Sequence, residues 1–166
     1  MKILPRVVLL AILLFQSVFQ ILNAQCQSDE IEVRLIIETD DYGYETFWSL
    51  VPNGNSCSQL PVATGGNTNQ VGCTGGGQQD ATTAYGYSDN ATINVGPWCL
   101  KTDSSYIFYH VDDYGDGGTK FTIMIGEYPV HQFKSTGNGG EYNFTVTLPL
   151  AYNAALSKIS TYGFND

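Results

Sequence analysis

Residues Ile31–Glu38 read IEVRLIIE, and their alternation decides the fold class. Ile31, Val33, Leu35 and Ile37 fall on one side of an extended chain, while Glu30, Glu32, Arg34 and Glu38 mostly fall on the other. Side chains of a strand alternate between its two faces, so this stretch predicts a strand with one face buried and one in water. EYNFTVTL, Glu141–Leu148, repeats the pattern with Tyr142, Phe144, Val146 and Leu148 on the apolar side. TKFTIMIG does the same with Phe121, Ile123 and Ile125. ETFWSLV, ATINV, SYIFYHV and YPVHQF are further candidates, with weaker ones near Leu60 and Thr83. Seven to nine short strands parted by Gly, Asn and Asp turns predict an all-β protein, an antiparallel sandwich of jelly-roll-like kind. Residues 64–80, TGGNTNQVGCTGGGQQD, predict a long exposed loop.

The chain begins differently. Lys2 and Arg6 precede an apolar run from Val7 to Phe15, and a polar stretch ends at Ala24. This predicts a secretory signal peptide over 1–24, too short in its apolar part to span a bilayer; the alternative is an uncleaved anchor. The expected organisation is then a sandwich domain over 25–149 and a tail over 150–166. In that tail Tyr152, Ala155, Leu156 and Ile159 recur at helical spacing, so it reads as a short amphipathic helix or a frayed end. The expected destination is extracellular, with no membrane anchor after cleavage.

Cysteine and charge agree with that destination. Cys26, Cys57, Cys73 and Cys99 all follow the leader, and an even count in an oxidising compartment predicts two disulfides. Three pairings are possible. The expected one is Cys57–Cys73, closing the glycine-rich loop, with Cys26–Cys99 tying the start of the domain to its body. Zinc is the poorer reading, because no close cysteine pair exists and His110 and His131 are the chain's two histidines. Beyond the leader, Arg34, Lys101, Lys120, Lys134 and Lys158 stand against sixteen acidic residues. Such a balance argues against nucleic acid and anionic lipid as partners. Asn90-Ala91-Thr92 and Asn143-Phe144-Thr145 are glycosylation sequons, and Asn143 lies on the polar side of its strand.

Two acidic stretches remain. DDYGDGG, Asp112–Gly118, holds three carboxylates in seven residues. A hairpin turn accounts for Asp116-Gly117, but not for Asp112 and Asp113 at the end of an apolar strand. Crowded carboxylates repel one another unless a cation compensates. Calcium takes six to eight oxygens, and glycine-rich loops let several converge, so Asp112 and Asp116 could face one ion. A solvated turn is the competing reading. The second stretch, Glu38–Trp48, sets Asp40, Asp41 and Glu45 around another Tyr-Gly turn and could supply the ligands that the first lacks.

The pair TDDYGYETFW, Thr39–Trp48, and DDYGDG after Cys99-Leu100 resembles a secreted β-sandwich module. That module carries T-D-x-[YF]-[PG]-x-E-[TI]-x-W early and D-x-Y-G-D-G late. It occurs in large bacterial secreted proteins and in surface proteins of algae and protists. The likeness spans about Ile31 to Leu148. Gly43 stands where Pro is usual, and Gly118 where Ile-Cys often follows, so the module's disulfide pattern does not carry over. The resemblance implies a non-catalytic extracellular module with Asp40, Glu45, Asp112 and Asp116 as the matching acidic positions. Calcium ligation is expected from these four, with Asp41 and Asp113 either joining them, standing behind them or facing water. Trp48 is expected in the core, and Tyr42 and Tyr114 are expected to brace the turns.

No nucleophile elbow, no His-Glu-x-x-His and no free cysteine beside a histidine is found, so an enzyme is not expected. Two functions from different classes remain. One is a structural subunit of an extracellular fibril or matrix, self-associating or joining other extracellular proteins, with the N-terminal strand or the tail as an inserted element. The other is a calcium-dependent, lectin-like carbohydrate-binding or adhesion module.

Overall fold

The computed structural model describes residues 26–147. The leader, the tail helix pattern and Leu148 lie outside the described residues. Among the described residues eight strands form: β1 (Glu30–Glu38), β2 (Thr46–Pro52), β3 (Ala63–Gly66), β4 (Thr92–Lys101), β5 (Ser105–Asp112), β6 (Gly117–Ile125), β7 (Tyr128–Thr136) and β8 (Gly139–Thr145). They divide into two four-stranded sheets, ordered β4-β1-β6-β7 and β3-β2-β5-β8. All pairings are antiparallel. The protein is an all-β sandwich, jelly-roll-like in its eight strands split four and four.

The alternation in β1 does what its sequence predicts. Val33, Leu35 and Ile37 are buried and meet Trp48, Leu50, Phe108, Phe121, Ile123 and Ile125 between the sheets. Arg34 turns outward to Glu32 and Glu127, and Lys120 pairs with Glu38 across the β1–β6 ladder. β1 lies centrally between β4 and β6. Both its edges are therefore paired within the chain.

Three expectations need correction. β4 runs on through Trp98, Cys99 and Leu100, past Pro97, where ATINV alone was expected. An edge strand tolerates the proline, which has no N–H to give a neighbour. No strand forms near Thr83, and the one near Leu60 begins at Ala63. The segment 64–80 is not simply exposed. Its first residues form β3, and Asn67 and Val71 are buried. With residues 53–62 it lies on the outer face of the second sheet. Ser49 Oγ donates to Cys57 O at 2.7 Å and Tyr109 Oη to Asn55 O at 3.1 Å. This covering explains why Thr46–Val51 is buried on both faces. Both expected disulfides are present, Cys57–Cys73 within that covering segment and Cys26–Cys99 joining the start of the domain to β4.

Topology fixes where the acidic stretches lie. β1 and β6 are neighbours in one sheet, and β2 and β5 are neighbours in the other. The β1–β2 and β5–β6 connections both cross from sheet to sheet. Glu38 faces Lys120 and Thr46 faces Asp112 in the ladders, so the two connections span the same end of the sandwich side by side.

Candidate metal centre

The early arch, residues 39–45, leaves β1 and ends in a single 3-10 turn, Gly43–Glu45, which delivers Glu45 directly to the start of β2. The late arch, 112–116, starts on the last residue of β5. Asp112 is still in the ladder opposite Thr46, and its even-numbered side chain shares the inward face with Phe108 and His110. Thr46 and Thr119 hydroxyls share a 2.6 Å hydrogen bond between the arches' exits. The arches therefore touch, and three carboxylates converge. One oxygen each of Glu45, Asp112 and Asp116 lies within 4.8 Å of the other two.

This spacing fits one ion. Oxygens held at about 2.4 Å from a calcium can stand no more than about 4.8 Å apart. Glu45 and Asp112 are buried and Asp116 is exposed. Among the described residues, the salt bridges involve Arg34 and Lys120, and none reaches these carboxylates. Among the described residues their mutual field is consequently uncompensated. Burial, followed by the charges of Asp112, Asp116, Asp113 and Asp40, pushes Glu45 up to about 7. Burial also raises Asp112, against the opposing pull of backbone N–H groups of Gly115 and Gly117. The Gly115 N–H donates to Asp112 Oδ1 at 2.7 Å and fixes that carboxylate's orientation.

The other expected residues take separate places. Asp40 stands alongside the three, over Gly118. A Cβ at Gly118, whose φ is +127°, would come within 1.7 Å of Asp40 Oδ2, so glycine is what lets the arches close. Asp40 Oδ1 accepts the Tyr42 N–H at 3.0 Å. Asp41 points elsewhere, accepting from Asn90 Nδ2 at 2.8 Å. Asp113 is buried. Its Oδ2 accepts the Ala81 N–H at 2.8 Å, and its Oδ1 is buried with no hydrogen-bond partner. A buried carboxylate oxygen with nothing to bind is costly, and it marks a place for a cation or water.

Beside the cluster opens a cleft of about 530 Å³, lined by Glu45, Asp113 and Asp116 together with Tyr42, Tyr44 and Tyr114. Tyr42 and Tyr114 are 50% and 54% exposed. Both stand at this opening, and Tyr42 also meets Tyr44 of its own arch edge-on. Trp48 is in the core as expected, its Nε1 donating to Tyr87 Oη at 2.9 Å. Sequence reasoning overlooked the part played by Gly118, Gln79 and Ala81. A signal for the tyrosines was present, since Asp-Asp-Tyr-Gly occurs in both arches, at 40–43 and 112–115.

The histidines lie away from the carboxylates' convergence. His110 packs on Phe121 and Phe133, and burial lowers its pKa. His131 stacks on Tyr142 with ring centroids 3.6 Å apart, across the gap between the sheets' edges. Both sequon asparagines are exposed, Asn90 in a turn and Asn143 on the outer side of β8.

No protein-family model, curated protein or solved structure gives a significant match to this chain. The resemblance to secreted sandwich modules accordingly rests on the residues of its two motifs.

Proposed function

We propose that this chain is a non-catalytic, secreted glycoprotein whose β-sandwich is stiffened by calcium and serves as a structural subunit of an extracellular fibril or matrix. The observation that carries the ion is the meeting of Glu45, Asp112 and Asp116 within 4.8 Å, with no salt bridge to them among the described residues. The unpartnered Asp113 Oδ1 beside them supports it. Calcium is favoured over magnesium, because carboxylates from two loops offer an irregular oxygen set. Bound there, the ion supplies charge compensation and a link between the arches. Glu45 brings the β1–β2 arch and Asp112 the β5–β6 arch, so each sheet is tied to the other at that end.

A building block needs stiffness and surfaces to join. The ion would secure one end of the sandwich, and Cys26–Cys99 secures the strand β4 towards the other. Two disulfides suit an oxidising compartment, which agrees with secretion. Of the four edge strands, β4 is interrupted by Pro97, β3 is only four residues long, and β8 carries the Asn143 sequon. β7 has its proline, Pro129, only at the second residue, and the stretch from Val130 to Thr136 that follows is the edge best suited to receive a neighbour. The test has two arms on the purified secreted protein. Calorimetry should give calcium heat and a calcium-dependent rise in Tm, and absence of both ends the ion. Negative-stain imaging should give filaments or ordered oligomers. Monodisperse monomers with and without calcium end the building-block role.

A further inference from the structure

We propose that the cleft beside the acidic cluster binds a saccharide, with the ion taking neighbouring sugar hydroxyls and Tyr42 and Tyr114 holding the ring; this rests on the calcium reading above. The ion's surroundings are lopsided. Glu45 and Asp112 are buried while Asp116 is exposed, and the cleft opens on the side of Glu45 and Asp116. Three carboxylates leave a calcium short of its six to eight oxygens, so its remaining positions belong to oxygens that enter from that opening. The buried, unpartnered Oδ1 of Asp113, a residue of the same cleft, is independent of the three-carboxylate cluster and also calls for a ligand there.

The lining selects the chemistry. Among the described residues no lysine, arginine or histidine lines the cleft, and Ala81 is the one aliphatic residue there. An anion would meet a negative surplus even with the ion bound, since Glu45, Asp112, Asp116 and Asp113 outweigh a divalent cation, and an apolar ligand would leave the carboxylates dry and unpaired. A polyol satisfies both demands, since hydroxyls donate to carboxylates and coordinate calcium through the same oxygens. A volume of about 530 Å³ falls within the range of small-ligand sites and admits one or two sugar rings. Exposed tyrosines scattered singly would mean little. Here the same position of each Asp-Asp-Tyr-Gly arch presents a half-exposed ring at one opening. Tyr44 meets Tyr42 edge-on, centroids 6.3 Å apart, and limits how far that ring can swing.

The experiment is a glycan array of mono- and oligosaccharides probed with the full secreted protein in calcium and in EGTA. Hits are followed by saturation-transfer NMR, and calcium affinity is measured separately by calorimetry. Binding should appear in calcium and vanish in EGTA. The Y42A/Y114A double variant should lose at least tenfold in saccharide affinity while its calcium affinity stays within twofold. An empty array with calcium-saturated protein overturns the proposal and leaves the calcium reading standing. Saccharide binding that survives EGTA or the double variant also overturns it. Capture of an oligolysine peptide in EGTA, released by calcium, would reassign the cleft to a cationic partner. If calorimetry detects no calcium, the reading beneath falls first, and the ion-bridged saccharide falls with it.

Discussion

The early and late arches carry the same tetrapeptide and use it differently. In the late arch Asp112 and Asp113 are 4% and 1% exposed, whereas in the early arch Asp40 is half-buried and Asp41 lies in water. The cause is where each strand stops. β5 keeps its ladder through Asp112, which directs that side chain between the sheets. β1 stops at Glu38, two residues before its first aspartate, so the early arch must reach inward again through the 3-10 turn and offers Glu45 instead. Equal sequences thus give unequal carboxylates. What a loop contributes to a centre depends on its register against the neighbouring strand.

The largest way to break this asymmetry is Asp112→Asn. The amide keeps the acceptor for the Gly115 N–H but removes the charge. Calcium affinity should fall by about 100-fold or more, and the rise in Tm that calcium gives should disappear. In EGTA the order should reverse, because the substitution relieves repulsion on Glu45. A variant that melts well below wild type in EGTA would mean that Asp112 is structural rather than a ligand. Calorimetry and paired thermal melts decide it.

The two arches lean on different segments: residues 88–91 hydrogen-bond the early arch at Thr39, Asp40 and Gly43, while the covering segment backs the late one. Gly77 N–H donates to Asp112 O and Gln79 N–H to Asp113 O, so the covering segment runs along the arch. Cys57–Cys73 closes that segment with a sequence separation of 16. Replacing both cysteines by serine should cost about 3 kcal/mol in chemical denaturation. It should also weaken calcium, since Asp112 and Asp113 lose the strap behind them. Unchanged calcium affinity would show that the late arch holds its shape alone. Gly118→Ala acts on the other arch. It drives a Cβ onto Asp40 at a positive φ, and a loss of about 1–3 kcal/mol is expected from the same denaturation measurement.

The acid–base behaviour follows from burial. Glu45 is raised from its usual value to about 7, so without calcium the folded protein holds a proton that the unfolded chain releases near pH 4.5. Its stabilising contribution is complete below that value and is lost as pH rises through about 7. Melting in EGTA should therefore fall between pH 4.5 and 7 and level off above. Calcium needs the ionised form, so its affinity should climb over the same range. A flat EGTA profile would sink the buried, uncompensated cluster.

How much of this the sequence disclosed depends on whether a residue's fate is local. IEVRLIIE could be read because strand alternation is local, and Val33, Leu35 and Ile37 are buried as it implies. The cysteine pairing was legible from the loop that Cys57 and Cys73 bracket. Asp112, Asp116 and Glu45 stood out as crowded acids near turns. That they meet is a property of strand order, with β1 beside β6 and β2 beside β5, which periodicity does not encode. The burial of Val71 and Asn67 was hidden for the opposite reason. A glycine-rich segment shows no period, and its anchors are single hydrogen bonds such as Asn67 Nδ2 to Tyr44 O at 3.0 Å. That Tyr42 and Tyr114 share one opening was likewise hidden, because it depends on the two arches lying side by side.

The smallest predicted effect is the sharpest control on the contrast between arches. Asp41 and Asp113 occupy the same place in the tetrapeptide, yet Asp41 bonds Asn90 in water while Asp113 keeps a buried oxygen free. Asp41→Asn should leave calcium affinity within about twofold, because its charge is screened by solvent. It should cost under about 1 kcal/mol, since an amide can still accept from Asn90. Asp113→Asn should weaken calcium clearly in the same titration, because a buried charge facing the cleft acts on the ion through little water. Equal effects of the two substitutions would mean that the ion responds to the total acidity of this end of the sandwich. Geometry would then have no privileged part, and the distinction drawn from strand register would fail.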